Sequence, residues 1–145
     1  MIVREATEAD LPAVLRLYAE PELDAGEAID LERATAIFAR LRAYPDYRLY
    51  VAELDGRVVG TFTLIVMENL SHGGARSGLV ESVVVHAAQR SRGIGAAMME
   101  HARAHCRAAG CYKMALSSNL KRERAHAFYD GLGFERHGYS FRVAP

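Results

Sequence analysis

The sequence predicts an α/β fold: a single domain, 1–145, with a mixed, mostly antiparallel sheet and helices on both of its faces. Three observations carry this. Apolar residues switch along the chain between a period of two and a period near 3.6. Residues 48–54 and 57–67 flank Asp55-Gly56, a tight-turn pair, so the middle of the chain holds an antiparallel hairpin. Residues 78–86, 93–109 and 112–118 read as strand, helix, strand, a unit whose strands are parallel neighbours with a right-handed crossover.

A chain of 145 residues suits one domain with a real core. Its 18 basic and 18 acidic residues cancel, which argues against nucleic acid or an anionic membrane as a partner. No apolar run approaches the roughly 20 residues of a membrane span. Met1-Ile2-Val3-Arg4-Glu5 lacks the basic and apolar segments of a signal peptide, so the expected compartment is the cytoplasm. Cys106 and Cys111 are not CxxC and complete no zinc set. They read as small buried residues, not a disulfide.

In order, residues 1–5 read as a first strand. Thr7 with Asp10 resembles a capping box, and Leu11, Val14, Leu15 and Tyr18 recur at helical spacing, with Pro12 in the first turn. Pro21 and Gly26 end that helix. Residues 20–27 are acidic and poor in large apolar groups, and read as a mobile loop that could wall a substrate pocket. Residues 30–43 form a second helix through Leu31, Ala34, Ile37, Phe38 and Leu41, stopped by Pro45. After the hairpin, residues 68–77 are a loop. Residues 78–86 are almost continuously apolar except at Glu81 and Ser82, the pattern of a strand covered on both faces. The next helix places Ile94, Ala97, Met98, His101, Ala102 and His105 near one face and ends at Gly110. A strand (112–118), a helix (121–131) and two short final strands, 133–136 and 139–143, complete the expected order.

The stretch from Val83 to Ala97 joins an apolar strand to a helix through Arg90-Ser91-Arg92-Gly93-Ile94-Gly95. Glycine-rich strand-to-helix loops bind phosphates through unpaired N–H groups and the helix dipole. A P-loop is excluded, because no GxxxxGK is present. A dinucleotide fingerprint fails at Met98, where a small residue is needed, and no acid near residues 113–117 could hold a ribose. What remains is Arg/Gln-x-x-Gly-x-Gly/Ala. Gly93 and Gly95 let backbone approach a pyrophosphate, while Arg90 and Arg92 meet the outer phosphates.

This stretch resembles motif A of the GNAT N-acetyltransferase superfamily. About 30 residues on, Asn119 followed by Ala125-His126-Ala127-Phe128-Tyr129 and Gly133-Phe134 is similar to motif B. Gly110-Cys111-Tyr112-Lys113 and Val80-Glu81-Ser82-Val83 are similar to glucosamine-6-phosphate N-acetyltransferases. The stretch Leu116-Ser117-Ser118-Asn119-Leu120-Lys121-Arg122 resembles aminoalkylphosphonate N-acetyltransferases. The resemblance implies a sheet of about six to seven strands with a central splayed parallel pair and about four helices. It implies acetyl-CoA as co-substrate and direct transfer of acetyl to the primary amine of a small molecule. The pantetheine arm would lie along Val83, Val84 and Val85. The pyrophosphate would sit on Arg90, Ser91, Arg92, Gly93, Ile94, Gly95 and Ala96, with Asn119 and Phe128 beside the cofactor. A homodimer is plausible for such a fold.

Two residues fit the proton transfers of such a reaction. Tyr129 matches the family's general acid, and a phenol near pKa 10 is protonated at neutral pH. The competing reading is a packed tyrosine on the helix's apolar stripe. Glu81 interrupts an apolar strand and is the candidate base, expected half-buried with a raised pKa. The competing reading is a carboxylate paired with arginine. Asn119 reads equally as a cofactor ligand or a cap for the helix after it. No metal is expected: His101 and His105 have i,i+4 spacing, but Ala102 stands where HExxH needs Glu. Two other functions stay open, a coenzyme A-binding regulatory module without turnover and transfer from a longer acyl-CoA.

Overall fold

The computed structural model describes residues 1–20 and 29–145. The expected loop at 20–27 lies, apart from Glu20, outside the described residues. Two compact units are present, Met1–Ala115 and Leu116–Pro145. The first contains β1 (Ile2–Glu5), α1 (Leu11–Tyr18), α2 (Leu31–Arg42), β2 (Tyr47–Leu54), β3 (Arg57–Met67), β4 (Arg76–Val85), α3 (Ile94–Ala108) and β5 (Cys111–Ala115). The second contains α4 (Glu123–Gly131). The sheet runs β1-β2-β3-β4-β5. Its first three pairings are antiparallel and β4–β5 is parallel.

The hairpin forms as its turn chemistry predicts. Leu54 pairs with Arg57, and Asp55 and Gly56 both take left-handed backbone, at φ 51° and 73°. Two positive-φ residues match the strands' right-handed twist. Period-two alternation then sorts the faces of β2. Leu49 and Val51 join Ala6, Leu11, Val14 and Phe38, so α1 and α2 cover one face. Tyr50, between them, stacks on Phe62 at 5.0 Å and meets His101 of α3 at 5.2 Å on the other.

Helix α3 buries Ile94, Met98, Met99, Ala102 and Cys106. The expected stripe is thus displaced. Ala97, His101 and His105 are only half-buried, and Met99 and Cys106 go inside. Contact with β4 decides this: a Cβ on Gly78 would run into the Cys106 sulfur, so the strand is stripped to backbone where the helix crosses it. The two helical histidines have other partners. His105 Nε2 lies 3.0 Å from both carboxylate oxygens of Asp46, and His101 lies against Tyr50. Among the described residues no group of three or more His, Cys, Asp or Glu side chains could hold a metal ion. No helix of the described residues is long and apolar enough to cross a membrane.

At the N-terminus, the Asp10 carboxylate accepts from the Thr7 N–H at 2.8 Å, the reciprocal half of a capping box. It also takes a two-pronged ion pair from Arg4 at 2.8 and 3.0 Å, and Arg4 bridges on to Glu53. The Arg4 guanidinium holds the Asp10 carboxyl at about 2. Such a pair contributes about 1–2 kcal/mol, against about 2–3 kcal/mol for each fully buried side chain such as Phe62 or Met98, so the core dominates.

The strand count differs from expectation: among the described residues the sheet has five strands, not six or seven. Residues 133–136 and 139–143, expected as strands, have no regular structure. Tyr139, Phe141 and Val143 alternate as a strand would, yet they are 88%, 90% and 89% exposed. A strand needs a partner edge and a face to bury, and alternation alone secures neither. Several boundaries also move. β4 starts at Arg76 rather than Gly78, taking in the end of the expected loop, β5 stops at Ala115 rather than 118, and the last helix starts at Glu123 rather than Lys121.

Gly78→Ala should cost about 1–3 kcal/mol by overpacking, read as a lower urea midpoint. Removing the obstructing sulfur in Gly78→Ala/Cys106→Ala should recover part of it. Asp10→Asn should cost about 1–2 kcal/mol at pH 7. The folded carboxyl titrates below its unfolded value of 3.8, so the stabilisation is complete above that value and is lost as pH falls through about 2. The difference between variant and wild type should close over that window in acid-unfolding curves.

Candidate active site

Strand β4 is interrupted by a bulge toward β3 and loses its partner toward β5 after Leu79. Toward β3, the register runs Gly60↔Val85 and Thr61↔Val84, then resumes at Thr63↔Glu81. Ser82 and Val83 therefore face the single residue Phe62, a β-bulge. Ser82 takes left-handed backbone at φ 53°, a strained state for a non-glycine residue. Toward β5, pairing covers only Arg76–Leu79, and β5 itself ends at Ala115. From Val80 to Val85 that edge of β4 has no strand paired to it among the described residues. Val83 lies in the bulge, Val84 and Val85 are again paired with Thr61 and Gly60 of β3, and along the β5-side edge of all three an extended ligand can add its own hydrogen bonds.

This stretch leads straight into the loop. His86 Nδ1 accepts from the Ala88 N–H at 3.2 Å and starts a short 3₁₀ turn, Ala87–Gln89. Arg90 is extended, Ser91 is left-handed at φ 63°, and Gly93 is left-handed at φ 78° and caps α3. A Cβ on Gly93 would meet nothing within 4 Å, so the backbone angle and the open space over it account for the glycine. Ile94 is buried as the anchor of α3, while Gly95 and Ala96 are half-buried in its first turn. That turn contains no acidic residue. The positive end of a four-turn helix therefore opens onto the loop without an opposing side chain of its own, an arrangement suited to an anion. Arg90 Nε donates to Val85 O at 3.2 Å, and its Nη2 lies 3.4 Å from Glu20. Arg92 donates to Gln89 Oε1 at 2.6 Å.

Glu81 is exposed, not half-buried as expected, because the bulge beginning beside it turns the strand's polar pair outward. Thr63 Oγ1 donates to the Glu81 carbonyl at 3.3 Å, so the backbone there is tied to β3 while the carboxylate faces solvent.

The unit Leu116–Pro145 holds the other candidates. Asn119 Oδ1 accepts from the Lys121 N–H at 2.9 Å, a turn that precedes α4. Asn119 therefore closes a turn and does not cap α4, whose N-cap position is Arg122. His126 Nε2 sits 2.8 Å from the Asn119 carbonyl and pins this turn to the helix. Tyr129 lies between Phe128 (ring centres 5.1 Å) and Phe134 (5.4 Å). Burial there pushes its phenol above the ordinary 10, with Arg122 pulling slightly the other way. Phe128 itself is on the exposed side.

Sequence reasoning found the loop but not the bulge or the Glu20–Arg90 contact. The polar Glu81-Ser82 pair inside a valine run was the available signal for the bulge.

Residues 11–134 match the model of the acetyltransferase (GNAT) family. The chain belongs to the GNAT family. It is an N-acetyltransferase, and enzymes of this family use acetyl-CoA. The chain is 30% identical over 141 residues to glucosamine 6-phosphate N-acetyltransferase of Trypanosoma brucei brucei, covering 97% of this chain and 93% of that one. It is 30% identical over 142 residues to aminoalkylphosphonate N-acetyltransferase of Salmonella typhimurium, covering 98% and 90%. Among solved structures, one described as a transcriptional regulator from Bacillus halodurans C-125 superposes with TM-score 0.90 at 25% identity, covering 99% and 98%.

The bulge gives a direct test. Ser82→Gly should be neutral or slightly stabilising, since glycine favours its backbone angle. Ser82→Val should cost about 1–2 kcal/mol and weaken acetyl-CoA binding, measured by thermal unfolding and calorimetric titration.

Proposed function

We propose that this GNAT enzyme moves the acetyl group of acetyl-CoA to the primary amine of a small molecule by direct attack in a ternary complex. The observation that carries the reading is the unpaired edge of β4 from Val80 to Val85 running into the left-handed Ser91–Gly93 loop. One suits the amides of a pantetheine arm and the other a pyrophosphate.

In the reaction, the amine lone pair attacks the thioester carbonyl and forms a carbon–nitrogen bond. Its oxygen becomes an oxyanion, stabilised by N–H groups among Val83, Val84 and Val85; one such donor is worth about 3–4 kcal/mol elsewhere. Collapse breaks the carbon–sulfur bond and expels the thiolate of coenzyme A. Tyr129 supplies the proton to that sulfur. Its raised phenol pKa supports the role, because the group stays protonated throughout the range where a thiol near 8.5 ionises. Glu81 accepts the proton of the amine, and its exposure favours a route through water. Asn119 and Phe128 flank the donor.

The relatives named above act on glucosamine 6-phosphate and on aminoalkylphosphonates. Both are small amines with a phosphorus oxyanion, and this is the acceptor class we propose. The exposed alternation of Tyr139, Phe141 and Val143 supports a homodimer in which a second copy covers the tail. We place the enzyme in the cytoplasm.

The decisive measurement is free-thiol release from acetyl-CoA across a panel of amines, including glucosamine 6-phosphate and 2-aminoethylphosphonate. Binding of acetyl-CoA without thiol release from any amine would sink the catalytic reading and leave a regulatory one. Tyr129→Phe should lower kcat by about 10²–10³-fold with acetyl-CoA affinity unchanged. With Tyr129 above its ordinary value, its own deprotonation should depress wild-type kcat only above pH 10, read from the alkaline limb of the pH–rate profile.

A further inference from the structure

Arg90, the first residue of the pyrophosphate loop, meets a carboxylate. Its Nη2 lies 3.4 Å from Glu20 Oε2, with the two side chains 29% and 20% exposed. Glu20 closes the end of α1: its N–H donates to the Leu17 carbonyl at 3.2 Å, and Leu17, Val14 and Leu11 anchor that helix in the core. A buried helix therefore delivers a negative charge to the rim of a loop shaped for an anion. Among the described residues, two further features mark this rim. Arg92 is engaged with the neutral Gln89, and the first turn of α3 has no acid.

We propose that Glu20 sets the affinity of the donor site by competing with the diphosphate of coenzyme A for Arg90. This rests on the donor reading given above. Arg90 holds Glu20 and the Val85 carbonyl. An arriving diphosphate places like charge beside the Glu20 carboxylate, so binding must exchange one ion pair for another rather than simply form one. The net gain is the difference between the two pairs, which keeps the donor, and the coenzyme A left after transfer, from being held too tightly. The penalty attaches to the diphosphate alone. A pantetheine without it approaches only the uncharged backbone of β4.

The test is calorimetric titration of wild type, Glu20→Gln, Arg90→Gln and the double variant with coenzyme A and with pantetheine, at low salt. Glu20→Gln should tighten coenzyme A by about three- to tenfold, through slower dissociation, and leave pantetheine unchanged. In the Arg90→Gln background the same change should shrink to less than half that factor. Weaker coenzyme A binding in Glu20→Gln would show that Glu20 positions Arg90 instead, and would overturn the competition. So would equal tightening of both ligands, or no change in either. A wild-type chain that binds no coenzyme A would overturn the donor reading and this one with it. Binding by wild type without the Glu20 effect overturns only this one. Unchanged thermal midpoints in all variants confirm that the comparison is between folded proteins.

Discussion

A strand in the middle of a sheet normally has every backbone group paired, because an unpaired buried amide or carbonyl costs about as much as a lost hydrogen bond. β4 satisfies this rule only over its first part. From Ser77 to Leu79 it is paired with β3 on one side and β5 on the other. Beyond Val80 the rule breaks twice, because β5 stops and a bulge opposite Phe62 interrupts the ladder to β3. The remainder of the unit is arranged around keeping that irregularity in place. The stacked Tyr50 and Phe62 lie beneath it, α3 clamps Gly78 through Cys106, and Gly60 to Val85 restores pairing just before the strand ends.

The strain is local and its location is chemically apt. Ser82, Ser91 and Gly93 take left-handed backbone within twelve residues, two of them without glycine's freedom. Left-handed residues turn successive amides out of a regular ladder, and amides so turned are donors for a ligand rather than for a neighbouring strand. In the proposed reading the same segment exchanges internal hydrogen bonds for ligand hydrogen bonds, and the helix dipole of α3 adds its attraction at the far end. An enzyme that must bind a long, flexible, anionic donor gains from fixing its amides beforehand, since the ordering cost is met in folding rather than in binding.

The loop's two arginines show how differently equal charges can be used. Arg92 is exposed and bonded to neutral Gln89, whereas Arg90 is half-buried between a carbonyl and a carboxylate. A point charge held by an internal partner gives less net affinity than a bare one, but it has a defined geometry. The Arg4–Asp10–Glu53 network uses the same chemistry to tie β1 to β2 and to the capping box before α1.

The sequence alone determined the architecture wherever local chemistry and burial agreed. Asp55-Gly56 could only turn, Asp30 capped α2 through the Arg33 N–H as its side chain allows, and the Arg90–Gly95 motif sat at the strand-to-helix junction where it was read. Motif order from Gly93 to Phe134 was enough to reach the family. Tertiary structure decided what depends on partners distant in the chain. It placed Cys106 rather than His105 against the sheet, because Gly78 lies 28 residues away and no helical period reports it. It turned Glu81 outward, because a bulge is a mismatch between two strands and belongs to neither sequence. It brought Glu20 to Arg90 across 70 positions. It also left residues 139–143 unpaired despite their strand-like alternation, because alternation states only that one face wants burial, and a strand exists only where some edge receives it.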